Sequence, residues 1–130
     1  MLLAQNFTRE EAIAKAIHEF IVPPTLDHPV TAYITVSPLQ PGDIITPFID
    51  GKENRISTLT WFVWINDNPE GFFAHKTRYL FIDADNGNHD LKIEEWWPEL
   101  NGESLFMSQA ERLDMNLIIY SDVHRSDINR

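Results

Sequence analysis

Five consecutive large apolar residues, Trp61-Phe-Val-Trp-Ile65, constrain this chain more than any other feature. An extended strand sends successive side chains to opposite faces, so this run has no polar side to turn toward water. It suits either a central strand covered on both faces or a strand carrying an exposed aromatic patch. The neighbouring sequence builds a sheet around it. Residues 58–66, 72–83 and 91–98 are apolar runs rich in aromatic and β-branched side chains, each bounded by Asn, Asp, Gly or Pro, as consecutive antiparallel strands are. All four Trp lie in this stretch, which is expected to supply the core.

Ahead of it stands an amphipathic helix. Thr8 and Glu11 have capping-box spacing, and Phe7 with Ala12 has the spacing of a hydrophobic staple. Ile13, Ala16, Ile17, Phe20 and Ile21 recur at three and four residues and form one stripe, which Pro23-Pro24 ends. Val30, Ala32, Ile34 and Val36 then alternate as a first strand whose apolar face should lie under the helix. Residues 37–51 carry Pro38, Pro41, Gly42, Pro47 and Gly51 and read as a long connection, with Asp43-Ile-Ile45 its only strand-like fragment; residues 52–57 are polar and expected to be mobile. Asn86-Gly87, between residues 78–83 and 89–94, predicts a hairpin. A corner at Trp96-Trp97-Pro98, a short helix over 108–113 and a last strand over 116–120 follow. The expected fold is α+β: one N-terminal amphipathic helix packed on a small antiparallel sheet of about four to five strands. Residues 1–120 form a single domain and 121–130 a polar tail or linker.

Charge and composition narrow the function classes. Acidic residues outnumber basic ones 20 to 10, a formal charge of −10, which repels phosphate backbones and makes nucleic acid an improbable partner. With no cysteine, disulfides, thiolate catalysis and cysteine zinc sites are removed together. No apolar run is long enough to span a membrane, and Met1-Leu-Leu-Ala-Gln5 is too short for a signal peptide, though it could be the end of one.

Three constellations carry chemistry on paper. Asp83, Asp85 and Glu94 occupy the first, third and twelfth places of a calcium loop, but Asn88 stands where such a loop needs glycine. A hairpin turn is the stronger reading, so no cofactor is expected and these three are a weak metal candidate. His75 could act as a base, yet Ser57, Ser104 and Ser108 sit in no nucleophile elbow, and a hydrogen-bonded structural histidine is the simpler account. Glu94, Glu95 and Glu99 beside Trp96 and Trp97 could flank a sugar-stacking platform as paired carboxylates; strand alternation, sending Trp inward and Glu outward, competes with that. The four Trp do not fit easily inside so small a sheet. A contact surface of Trp64, Asp67, Trp96 and Trp97, with the turn over 66–71, is therefore expected.

Trp61-Phe-x-x-Ile65, Asp67-x-x-Pro69, Phe73-x-His-x-Thr-Arg-Tyr-x-Phe-Ile-Asp83, Gly87 and Trp96-Trp97-Pro-x-Leu-Asn-Gly102 resemble an N-terminal region found ahead of protease-like domains in secreted or surface bacterial proteins. The segment is similar in style to PepSY and other propeptide-like domains, over about residues 8–105. The resemblance implies a non-enzymatic module, secreted or extracytoplasmic, that assists or restrains a protease-like domain in the same chain. It carries over no catalytic residues, and these 130 residues hold no protease domain. Two alternatives stay open: a small acidic inhibitor or immunity-type protein that binds a basic partner, and a carbohydrate-active or other hydrolase using Glu94, Glu95 and Glu99.

Overall fold

In the computed structural model, residues 6–22, 28–69 and 75–121 are described. The expected stop at Pro23-Pro24, the Phe72-Phe73 start of a strand, Met1 to Gln5 and the tail beyond Ser121 lie outside them. Helix α1 (Arg9–Lys15) starts at Thr8, whose side chain accepts from the Glu11 N–H while the Glu11 carboxylate returns to the Thr8 N–H. The predicted capping box is thus present. The helix continues as a π-helical segment, Ala16–Ile21, closed by the Val22 N–H on the Ile17 carbonyl at 2.8 Å.

The expectation of an α+β domain with a helix on one small sheet is overturned. The described residues are predominantly β and build two antiparallel sheets. The first has five strands: β1 (Thr31–Ile34), β4 (Thr60–Asn66), β5 (Thr77–Asp83), β6 (His89–Glu94) and β9 (Ile118–Ser121), in the order β6-β5-β4-β1-β9. The second has four: β2 (Ile44–Pro47), β3 (Asn54–Arg55), β7 (Pro98–Leu100) and β8 (Glu103–Ser104), in the order β3-β2-β7-β8. A second short helix, α2 (Gln109–Arg112), falls where one was predicted and has its own capping box from Ser108 and Glu111.

The pleat of β4 explains the five-residue apolar run. Trp61, Val63 and Ile65 join Ala12, Ala16 and Ile21 of the helix and Val30, Ala32 and Ile34 in one core. Phe62 and Trp64 point into another, with Tyr33, Tyr79 and Phe81 of the same sheet, Ile45 of the second sheet and Phe106 from the connection after β8. Both faces are covered, so each large apolar residue of β4 contributes about 1.5–3 kcal/mol through burial. Val36 does not share the predicted face: β1 ends at Ile34, and Val36 is 62% exposed.

The second sheet is where the sequence reading fails. Residues 37–51 were expected to be a connection and 52–57 mobile, yet β2 pairs with β3 and β7. Ile56 is only 6% exposed, and its N–H donates to the Asp43 carbonyl at 2.8 Å. Strands of two to four residues are too short to display an alternating pattern.

Candidate functional site

The last residue of β2, Pro47, opens a tight turn that the Asp50 N–H closes on the Pro47 carbonyl at 3.2 Å. Ile49 sits in it with φ of 74°. That is the third position of a type II turn, which favours Gly or Asn because φ is positive. A β-branched residue held there costs about 1–3 kcal/mol, and its side chain gains no burial in return, being 70% exposed. The residue before it is anchored. Phe48 donates its N–H to the Trp97 carbonyl at 2.9 Å, stacks on the Trp97 ring at 4.3 Å and 16°, and meets Trp96 edge-on at 5.8 Å. Trp96 and Trp97 cross each other at 6.0 Å and are half-buried. Each such ring pair contributes about 0.5–1.5 kcal/mol beyond area burial, so the corner is assembled before any partner arrives.

Carboxylates surround it. The fully buried Tyr79 donates its hydroxyl to the Trp96 carbonyl at 2.6 Å. Burial pushes the Tyr79 phenol far above its ordinary range, and the negative charges of Glu94, Asp50 and Glu99 push it the same way. All three acids therefore act on one point beneath the Trp96 backbone. Glu94 is 6% exposed and has the Lys52 ammonium at 3.9 Å. The Trp97 indole N–H is buried with no acceptor among the described residues. An aromatic anchor with a protruding isoleucine and an acidic border is chemically suited to an apolar, cationic contact.

Of the expected contact residues, Trp96 and Trp97 stand together at this corner, whereas Trp64 lies away from the surface. Trp64 is 4% exposed and stacks on Tyr33 at 5.8 Å, in the core that the second sheet and the Phe106 segment cover together. Asp67 belongs to a separate ion pair. Its two oxygens take the Arg78 Nε and Nη2 at 2.8 and 2.7 Å, and His28 Nε2 lies 3.0 Å from Oδ1. His75 Nε2 is 2.8 Å from Asn66 Oδ1.

The cation candidates are spread along the hairpin. Asp83 caps the turn, taking the N–H groups of Asp85 and Asn86 and the Thr58 hydroxyl, while Asp85 accepts from the Asn6 amide. Glu94 pairs with Thr77 at the opposite end of β5 from Asp83, about 20 Å away along the strand at its usual rise. One ion cannot bridge them. Of the acidic trio, Glu94 and Glu99 converge near Tyr79, whereas Glu95 is exposed and offers its carbonyl to the His75 N–H at 3.0 Å. Phe48, Ile49 and Tyr79 were missed as members of the site; a proline-led turn carrying Phe-Ile-Asp was the available signal.

No protein-family model matches this sequence, and no curated protein or solved structure matches it either.

Proposed function

We propose that this domain is a non-enzymatic protein-binding module whose contact surface is the corner formed by Phe48, Ile49, Trp96 and Trp97, with Asp50 and Glu99 at its border. The observation that carries the reading is Ile49: a β-branched side chain kept in a left-handed turn and exposed to solvent, next to a closely stacked aromatic pair. Backbone strain of this kind persists where the surroundings enforce it, and it clusters at contact and ligand sites. The partner's chemistry is a basic surface with an apolar recess. In the propeptide-like form of the reading, that surface belongs to an attached protease-like domain. The formal charge of −10 favours the other form, an acidic inhibitor-type protein meeting a separate basic partner, because long-range attraction accelerates diffusional encounter and a tethered domain has no need of it.

The test uses Ile49→Gly and Trp97→Ala as affinity baits beside the unaltered chain, with the retained proteins identified and their dissociation constants measured. Ile49→Gly is expected to raise stability by about 1 kcal/mol by relieving the turn while weakening partner binding. Trp97→Ala is expected to weaken binding by about 1–3 kcal/mol. Binding that both variants leave intact sinks the proposal. So does hydrolysis of peptide, ester or glycoside substrates by the purified domain that disappears in Glu94→Gln.

A further inference from the structure

We propose that β6 is a self-association edge, through which two copies of this chain pair antiparallel about a dyad at Leu91. β6 is the end strand of the five-stranded sheet, and no described strand pairs with its outer side. Hydrogen bonding alternates along an antiparallel pair. The Asp83 N–H bonds the Asn88 carbonyl at 2.8 Å, and the register sets Phe81 against Asp90 and Tyr79 against Lys92. Asn88, Asp90 and Lys92 therefore turn their backbone groups toward β5. His89, Leu91 and Ile93 turn theirs outward, where each could exchange both bonds with a new strand. Natural edges are blunted by prolines, bulges or charged side chains, Lys above all, and β6 does carry Lys92, but with Asp90 of opposite sign beside it. This one is regular over six residues and carries Leu91 at 36% and Ile93 at 56% exposure on the helix-side face.

The occupant follows from the side chains. A dyad perpendicular to the sheet sets residues of the same face opposite each other. With the axis at Leu91, Leu91 meets its own copy, His89 meets Ile93, and Asp90 meets Lys92 twice. Asp90 and Lys92 already lie 3.5 Å apart within one strand, so the pairing creates an alternating square of four charges on the second-sheet side. Moving the dyad to Asp90 sets Asp90 on Asp90, and moving it to Lys92 sets Lys92 on Lys92. Like charges directly opposite destabilise a pair of strands. Of these three registers, only the one centred on Leu91 is complementary.

Sedimentation equilibrium on the full chain, from low micromolar to about 200 μM, is expected to show a monomer–dimer equilibrium. Lys92→Glu converts both cross-dyad attractions to repulsions and is expected to weaken dimerisation by at least about tenfold. The exchange Asp90→Lys with Lys92→Glu is expected to restore it. Because the chain has no cysteine, Leu91→Cys offers a second readout: on oxidation it should form a disulfide-linked dimer, whereas Leu113→Cys, 61% exposed and outside β6, should not. A chain that stays monomeric throughout, as it would if a different protein were the edge's proper occupant, overturns the proposal. So does a dimer indifferent to Lys92→Glu.

Discussion

Gly87 stands where the backbone and a neighbour both demand a missing side chain. Its φ is 78°, and a Cβ built there would lie 2.6 Å from Cδ1 and Cε1 of the Phe7 ring. Gly87→Ala therefore combines left-handed strain with overpacking and is expected to cost about 2–4 kcal/mol. Gly102 has φ of 89° with nothing within 4 Å, so Gly102→Ala is expected to cost only about 1–2 kcal/mol. Equal losses in urea titrations would mean that the Phe7 ring simply moves aside. The Asn86-Gly87 turn was legible in the sequence; that Phe7 would be the neighbour was not, since turn chemistry is local and that contact is long-range. Tyr79 offers a second test at this scale. Its proton is held in the folded state above the ordinary 10.0, so its stabilising contribution is complete below that pH and is lost as pH rises beyond it. Tyr33 is raised by burial as well. Tyr79→Phe is expected to cost about 1 kcal/mol at pH 7 through the lost bond to Trp96 and to flatten part, but not all, of the stability loss above pH 10. An unchanged alkaline limb would remove Tyr79 from that account.

At the scale of elements, the helix was the most legible part, because capping residues and a helical apolar stripe are encoded locally. What tethers it was not legible. Arg78, on β5, donates Nη1 to the Phe20 carbonyl at 2.7 Å while gripping Asp67 with two other nitrogens, tying the π-helical end of the helix to the turn after β4. The other end is held by Arg9, which donates to the Thr35 and Asn116 carbonyls. Arg78→Lys keeps a positive charge but loses the planar fork, and with side chains 17% and 22% exposed it is expected to cost about 1–3 kcal/mol. Full stability in Arg78→Lys, measured by thermal melts, would mean that charge alone suffices. The short strands β2, β3, β7 and β8 were illegible for a different reason: β2 and β7 are specified by pairing with each other across some fifty residues, as Ile45 with Leu100, and β3 and β8 are two-residue additions to them, too short to carry a pattern of their own. The same blind spot put Trp64 on the surface.

At the scale of the molecule, the two sheets differ in how securely they are held. β4 pairs with β5 over seven registered positions and lies between two cores, so its amides open only when most of the structure does. The second sheet is made of strands of two to four residues, and it is attached through one core alone, by Ile45, Leu100 and their neighbours. Local opening costs least where few apolar contacts and few ladder bonds must be broken. Native-state hydrogen exchange is therefore expected to rank β4 and β5 slowest, at the global unfolding free energy, with β3 and β8 fastest and β2 and β7 between. That order bears on the proposed contact surface, because Phe48 and Ile49 hang from the end of β2, and Trp96 and Trp97 lead into β7. A corner mounted on the more easily opened sheet would gain protection from a bound partner, by mass action on the closed state, whereas β4 and β5 would gain little. Exchange in β2 and β7 as slow as in β4 would instead make the two sheets one cooperative unit, and the corner as rigid as the core behind it.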